Sequence, residues 1–178
     1  MLNQMDQYVD YISYDNNVAR LGASHPALFE GRMPKNSDLA DGWYLIVDQL
    51  CAHIDGELGP ELSREFVTLQ IKEKFGTLKF YWRLGTQGDL RLDIFTAAGS
   101  VSSGVSKATP SRSRNAKDIN QARERVRAHV DATCAASAQL CQRCGSPGVL
   151  CKSRTGWAST LCNEHSRERA KGEDSDRG

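Results

Sequence analysis

Apolar positions along the chain change their period from one stretch to the next, and each period predicts an element. Between Asp6 and Ala19, the positions of Tyr8, Val9 and Ile12 suggest a short helix. His25-Pro26 then turns the chain toward extended backbone, because proline disfavours the helical region for the residue before it. The run Gly31-Arg-Met-Pro-Lys-Asn-Ser37 reads as a loop from its turn residues. Asp41-Gly42 stands where an acidic cap opens a helix that should run to about His53. In that helix Trp43, Ile46, Val47, Leu50 and Ile54 recur at three and four and share one face, while Asp48 and Gln49 fall elsewhere.

From Phe66 the period becomes two. Val67, Leu69 and Ile71 alternate with Thr68, Gln70 and Lys72, as a strand with one buried face requires. Leu78-Lys-Phe-Tyr-Trp82 resumes the same composition after Phe75-Gly-Thr77, which predicts an antiparallel hairpin turned at Lys74 to Gly76. A turn at Gly85 to Gly88 and the alternating Leu90-Arg-Leu-Asp-Ile-Phe95 add a third strand. The expected core is therefore a helix with a three-stranded antiparallel meander, an α+β fold over residues 1–98. Gly99 to Lys117 is serine-rich, carries Lys107, Arg112, Arg114 and Lys117, and has no acid and almost no large apolar side chain. Such a stretch cannot offset its ordering entropy and is expected to be a flexible basic linker, either solvated or touching phosphates. Asp118 then caps a long helix with Ile119, Ala122, Val126, Val130 and Ser137 at helical spacing, which leads to Cys141. Residues 118–170 are expected to form one C-terminal unit, with 171–178 as a polar, disordered tail.

The candidate chemistry is concentrated in that unit. Cys141-Gln-Arg-Cys144-Gly145 sets two thiolates two residues apart, so that a tight turn can aim both sulfurs at one point, and the glycine relieves the backbone beyond them. Cys162-Asn-Glu-His165 offers a thiolate and an imidazole at i and i+3, neighbours on the first turn of a helix. Between the pairs, the segments from Gly148 and from Gly156 have the composition of a short hairpin. Knuckle, hairpin and ligand-bearing helix follow in the order of a treble-clef finger, with one structural zinc per chain held by Cys141, Cys144, Cys162 and His165. Four protein ligands close the coordination shell, so no Lewis-acid chemistry is expected of the ion. Cys151 is expected to pack in the hairpin as a small apolar residue, with replacement of one ligand as the alternative. Cys51 and Cys134 read as buried thiols.

Composition excludes more than it assigns. A formal net charge of +1 provides no global field for nucleic acid. No apolar run approaches the length of a bilayer span and no signal-peptide order opens the sequence, so a cytoplasmic protein without membrane association is expected. No phosphate loop, paired-carboxylate motif or serine elbow is present. Outside the metal set, His25 precedes a proline, and His53 and His129 lie on amphipathic helices. Nor does the expected hairpin carry the general-base histidine of a His-Asn-His nuclease. The cluster Phe80-Tyr81-Trp82 with Lys79 and Arg83 could form a base-stacking platform, one strand face showing Phe80 and Trp82 and the other Lys79, Tyr81 and Arg83; the commoner arrangement simply packs one such face into a core.

His25-Pro-Ala-Leu-Phe29, Asp41-Gly-Trp-Tyr44, Leu50-Cys51, Ile71-Lys-Glu-Lys-Phe-Gly76 with Leu78-Lys-Phe-Tyr81, Ala136-Ser137, the Cys-x-x-Cys-Gly unit, and Gly156-Trp157 with Thr160-Leu-Cys-x-x-His165 follow one another in an order that resembles a group of small uncharacterised proteins of bacteria and their phages. The chain departs from that pattern at Thr77-Leu-Lys79, where Gly-Leu-Arg is expected, and in the serine-rich stretch. The resemblance implies a zinc site and a phage or prophage setting, hence the host cytoplasm, and implies no activity. Three functional readings follow. The first is a non-enzymatic zinc-containing binding protein, a phage accessory factor acting on a host protein. A nucleic-acid binder using Arg143, Lys152, Arg154, Arg167 and Arg169 is the second, and an enzyme of unrecognised type the third.

Overall fold

The computed structural model describes residues 17–29, 34, 36–85, 87–88, 90–96, 99–105 and 116–175. Tyr8, Val9 and Ile12 of the expected first helix lie outside these residues, as do 106–115 of the expected linker. A helix, α1, covers residues 17–24, and α2 (Pro26–Phe29) follows at once. Their junction is held to the next helix by His25, whose Nε2 and Nδ1 lie 3.0 Å from Asp48 Oδ1 and 3.1 Å from Asp55 Oδ2.

A 3-10 turn (Asp41–Trp43) opens α3 (Tyr44–Ser63). The helix extends ten residues beyond His53, the end expected from the sequence. Gly59 takes non-helical angles (φ 61°, ψ −179°), and Pro60 restarts the helix at a position where its missing N–H is no loss. Strand β1 (Phe66–Lys74) pairs antiparallel with β2 (Thr77–Leu84) through a two-residue turn in which Phe75 (φ 56°) and Gly76 (φ 77°) are both left-handed, the hairpin geometry that matches strand twist.

A β-bulge between Thr68 and Gln70 corrects the expected alternation. Phe66 and Thr68 point inward before it and Ile71 after it, while Val67 is half-buried and Leu69 exposed. One inserted residue moves every side chain behind it to the other face, and the pattern of apolar residues alone does not reveal where the insertion falls.

The expected meander is corrected as well. The third strand beside β2 is the two-residue β3 (Gln87–Gly88). Leu90–Phe95 does lie in a strand, β4 (Leu90–Thr96), but its partner is β5 (Gly99–Val105), in a separate two-stranded sheet. The segment expected as a linker therefore opens with a strand and ends in the first turn of α4 (Ala116–Ser137).

Helix α4 does not belong with the C-terminal unit alone. Ala122, Val126 and Val130 are buried in one cluster with Leu21, Phe29, Leu39, Trp43, Val47, Leu50, Ile54, Ile71, Leu78, Phe80, Trp82 and Leu84. Its helical stripe covers α3 and the inner face of β2, and Arg123 Nη2 donates to Leu84 O at 2.9 Å. Beyond α4 come the knuckle, β6 (Val149–Lys152) paired antiparallel with β7 (Ala158–Leu161), and α5 (Asn163–Ser175). Helix α5 runs through most of the stretch expected as a tail. No helix among the described residues is long and apolar enough to cross a membrane.

Candidate metal centre

The four residues expected as ligands come together. One donor atom from each of Cys141, Cys144, Cys162 and His165 lies within 4.8 Å of every other. His165 Nδ1 is 3.3 Å from both Cys141 Sγ and Cys162 Sγ, and Cys144 Sγ is 3.9 Å from Cys162 Sγ. None of the six cysteines is in a disulfide. Three soft sulfurs and one imidazole converging on a point can hold a metal ion.

Local backbone sets this convergence. The chain leaves α4 at Ser137 and passes through a turn to Leu140, which bridges Pro147. Between them the Cys141 N–H donates to Ser146 O (2.7 Å) and the Gly145 N–H to Cys141 O (2.8 Å), closing a loop that brings Cys141 and Cys144 to one side. Gly145 has φ +75°, a conformation glycine adopts without strain. Strand β7 then delivers Cys162 to the start of α5, and the first turn of that helix places His165 beside it.

Burial pushes the Cys141 thiol up, against the pull of the Cys162, Arg143 and Cys144 amides that point at its sulfur. The more exposed Cys144 is brought down to about 6 by the hydroxyl and amide of Ser146. With His165 Nδ1 turned to the sulfurs, its Nε2 faces Glu168 at 3.9 Å, and Glu168 in turn pairs with Arg143 at 3.2 Å. A carboxylate behind a ligating imidazole orients the ring and raises its basicity.

The knuckle is joined to the core by its backbone. The Gly42 N–H donates to Gln142 O (3.0 Å) and Trp43 Nε1 to Leu140 O (3.0 Å). A Cβ on Gly42 would overlap the Cys141 carbonyl and the amides of Cys144 and Gly145. On the other side Thr160 Oγ1, fully buried, donates to Gly76 O at 2.7 Å. Asp41-Gly42-Trp43 reads from sequence as a helix start; its second role as the seat of the knuckle has no periodicity or spacing to announce it.

Cys151 lies outside the ligand set, half-exposed on β6 with its sulfur 3.2 Å from Val149 O. Cys51 is fully buried, and burial with nearby Asp55 and Asp48 pushes its thiol far up. Cys134 is half-buried. His53 stacks on His129 with ring centroids 4.9 Å apart, at the contact of α3 with α4.

The five basic residues expected to meet nucleic acid lie in the knuckle, on and just after β6, and on α5. Arg143 is paired with Glu168, Lys152 and Arg154 lie on and just beyond β6, and Arg169 is half-buried on α5. Arg167 lines a shallow depression with Asn163, Glu164, Glu168 and Lys171, where acids and bases alternate. Compared with protein-family models, curated proteins and solved structures, the chain finds no match in any of the three.

Proposed function

We propose that the chain is a non-catalytic binding protein in which one zinc ion, held by Cys141, Cys144, Cys162 and His165, fixes a treble-clef-like module on an α+β core and presents it to a protein partner. The observation that carries this reading is the mutual proximity of the four donors. Zinc–sulfur bonds of about 2.3 Å and zinc–nitrogen bonds of about 2.0 Å imply tetrahedral edges of about 3.8 Å between sulfurs and about 3.5 Å from sulfur to nitrogen. The observed 3.9 Å and 3.3 Å separations support that ion. A d¹⁰ ion with no redox chemistry suits such a set, and with four protein ligands it keeps no exchangeable water to activate.

Support for a protein partner comes from the hairpin between the ligand pairs. Val149, Leu150 and Trp157 are 67%, 56% and 66% exposed, an apolar surface on a short hairpin whose position is fixed by the metal and the core. Elemental analysis of the purified protein should find one zinc per chain, and Cys151→Ser should keep it. Affinity capture should recover a partner with wild-type protein and lose it with Leu150→Ser/Trp157→Ser at unchanged zinc content. Metal-free protein with an intact C-terminal fold would overturn the zinc reading, and hydrolysis that depends on the ion would overturn the non-catalytic one.

A further inference from the structure

Strand β7 is the inner member of its hairpin and β6 the outer one. Ser159, Thr160 and Leu161 are buried, whereas Val149, Leu150 and Lys152 are exposed. Alternation along the ladder decides which backbone groups the hairpin itself uses. The Ser153 N–H donates to Trp157 O at 2.8 Å, and pairing continues without a shift through Cys151 with Ser159 to Val149 with Leu161. Those residues of β6 turn their N–H and C=O toward β7, so Leu150 and Lys152 turn theirs away. Thr160, opposite Leu150, obeys the same rule: its C=O points away from β6 and accepts the Gln142 N–H of the knuckle at 2.9 Å. The outward carbonyl of Thr160 is thus used within the chain. Beside β6, the described residues supply no further strand.

Such an edge is a template for one more strand, and its backbone groups define what completes it. An extended peptide offers N–H and C=O in the required alternation, whereas a phosphodiester backbone has no N–H to give the Leu150 and Lys152 carbonyls. Side chains narrow the class. Val149 and Leu150 are consecutive and therefore lie on opposite faces of the ribbon, yet both stay largely exposed. A strand laid beside β6 would cover apolar surface on both faces at once. Gly148 to Leu161 includes Lys152 but no aspartate or glutamate, so an acid that faces Lys152 on this edge has to come with the added strand. A second copy of β6 would bring another lysine and no acid.

We propose that the outer edge of β6 takes up an extended apolar segment of the partner as an added strand. The backbone groups of Leu150 and Lys152 form the ladder, Val149 and Leu150 pack against alternate side chains, and Lys152 pairs with an acidic one. This rests on the protein-binding reading of the hairpin and names the chemistry of the segment bound.

The test pans full-length protein against displayed random peptides of about ten residues, the upper end of usual strand lengths. A selected peptide, labelled with fluorescein, is then followed by anisotropy and by amide hydrogen exchange. Selection should enrich Val, Ile, Phe or Tyr at alternate positions together with Asp or Glu, and should exclude Pro. The bound peptide should slow exchange at Leu150 and Lys152 and leave Cys151, already facing β7, nearly unchanged. Leu150→Pro removes an outward N–H, which an edge strand tolerates, and should lose at least about fivefold in affinity beyond its side-chain control Leu150→Ala. Lys152→Gln should lose about two- to fivefold with a weaker salt dependence, and Lys152→Glu should turn selection from acidic to basic peptides. Absence of enrichment would overturn the proposal. So would peptides that bind without slowing the Leu150 and Lys152 amides; if Leu150→Ser/Trp157→Ser abolishes that binding, the protein-binding reading stands while strand addition fails. Protection of both amides that rises with protein concentration and needs no peptide would also overturn it, assigning the edge to a second copy. Zinc content is measured on every sample, so that peptide binding with both amides protected in metal-free protein would support strand addition and sink the zinc reading alone.

Discussion

Hairpins β1–β2 and β6–β7 are both antiparallel and touch where Gly76 meets Thr160, yet different forces hold them. The first buries Ile71, Leu78, Phe80, Trp82 and Leu84 on one face, each worth about 1.5–3 kcal/mol relative to exposure. The second buries Leu161 and leaves Val149, Leu150 and Trp157 largely outside. With ordering entropy of roughly 1–2 kcal/mol per residue, so small an apolar contribution cannot hold a segment of this length. The four donors Cys141, Cys144, Cys162 and His165 lie close enough to hold a metal ion, which under the proposed function would do for β6–β7 and α5 what the apolar face does for β1–β2.

The largest expected effect breaks that comparison at its metal side. Cys162→Ser should release the ion, and structural zinc in small modules is worth about 10–16 kcal/mol of folding free energy near neutral pH. Residues 141–175 should then become protease-sensitive, while α3, β1, β2 and α4 keep their helical and strand signals. Because Gly42 and Trp43 bond to the knuckle backbone, the change should reach the first turn of α3, readable as faster amide exchange near Trp43. Whole-chain collapse would mean that the core depends on the metal too.

A second substitution sharpens the same boundary without touching a ligand. Gly42→Ala forces a methyl group into the backbone of the knuckle and should cost about 3 kcal/mol or more and weaken metal affinity, measured by denaturant unfolding and chelator competition. Its control is Gly56→Ala on α3, where a Cβ meets nothing within 4 Å. There, helix propensity predicts a gain of up to about 1 kcal/mol. Thr160→Val follows with a smaller loss of about 1–2 kcal/mol, because it leaves the buried Gly76 carbonyl without its donor.

The two regions also differed in how far residue order revealed them. The clustering of Cys141, Cys144, Cys162 and His165 was legible because short spacings, Cys-x-x-Cys and Cys-x-x-His, are translated directly into geometry by local backbone. Helix α3 and the β1–β2 pair were legible through apolar periodicity. Less visible were features that depend on a partner distant in sequence. The bulge at Leu69 redirected Val67, Gly99–Val105 found a strand partner despite its glycine and serine content, and α4 packed into the core instead of following the module it adjoins. Nor did the sequence show that Gly42 receives the knuckle, because a close approach of two backbones leaves no side-chain pattern.

The smallest expected effect concerns a charge in the core hairpin near its contact with the module. Glu73 sits one residue before Lys74, half-buried, and accepts the Gly76 N–H at the turn that β7 covers. Burial raises its pKa, an effect that outweighs the opposing Gly76 hydrogen bond and is reinforced by Asp38. A raised carboxylate pKa means that the folded state holds the proton more tightly than the unfolded chain. The contribution of Glu73 to stability is therefore most favourable at acidic pH and is lost as pH rises through the unfolded and then the folded pKa. Glu73→Gln keeps an oxygen for the Gly76 amide and removes the charge, so it should leave stability unchanged or slightly raised at neutral pH. It should also remove one acid-side contribution from the pH dependence of unfolding. Urea midpoints measured from pH 4 to pH 8 on both proteins would show it as a difference that grows with pH. If Glu73→Gln instead loses stability at neutral pH, the ionised carboxylate is a needed acceptor for the turn, and the β1–β2 hairpin relies on a local charge as well as on its apolar face.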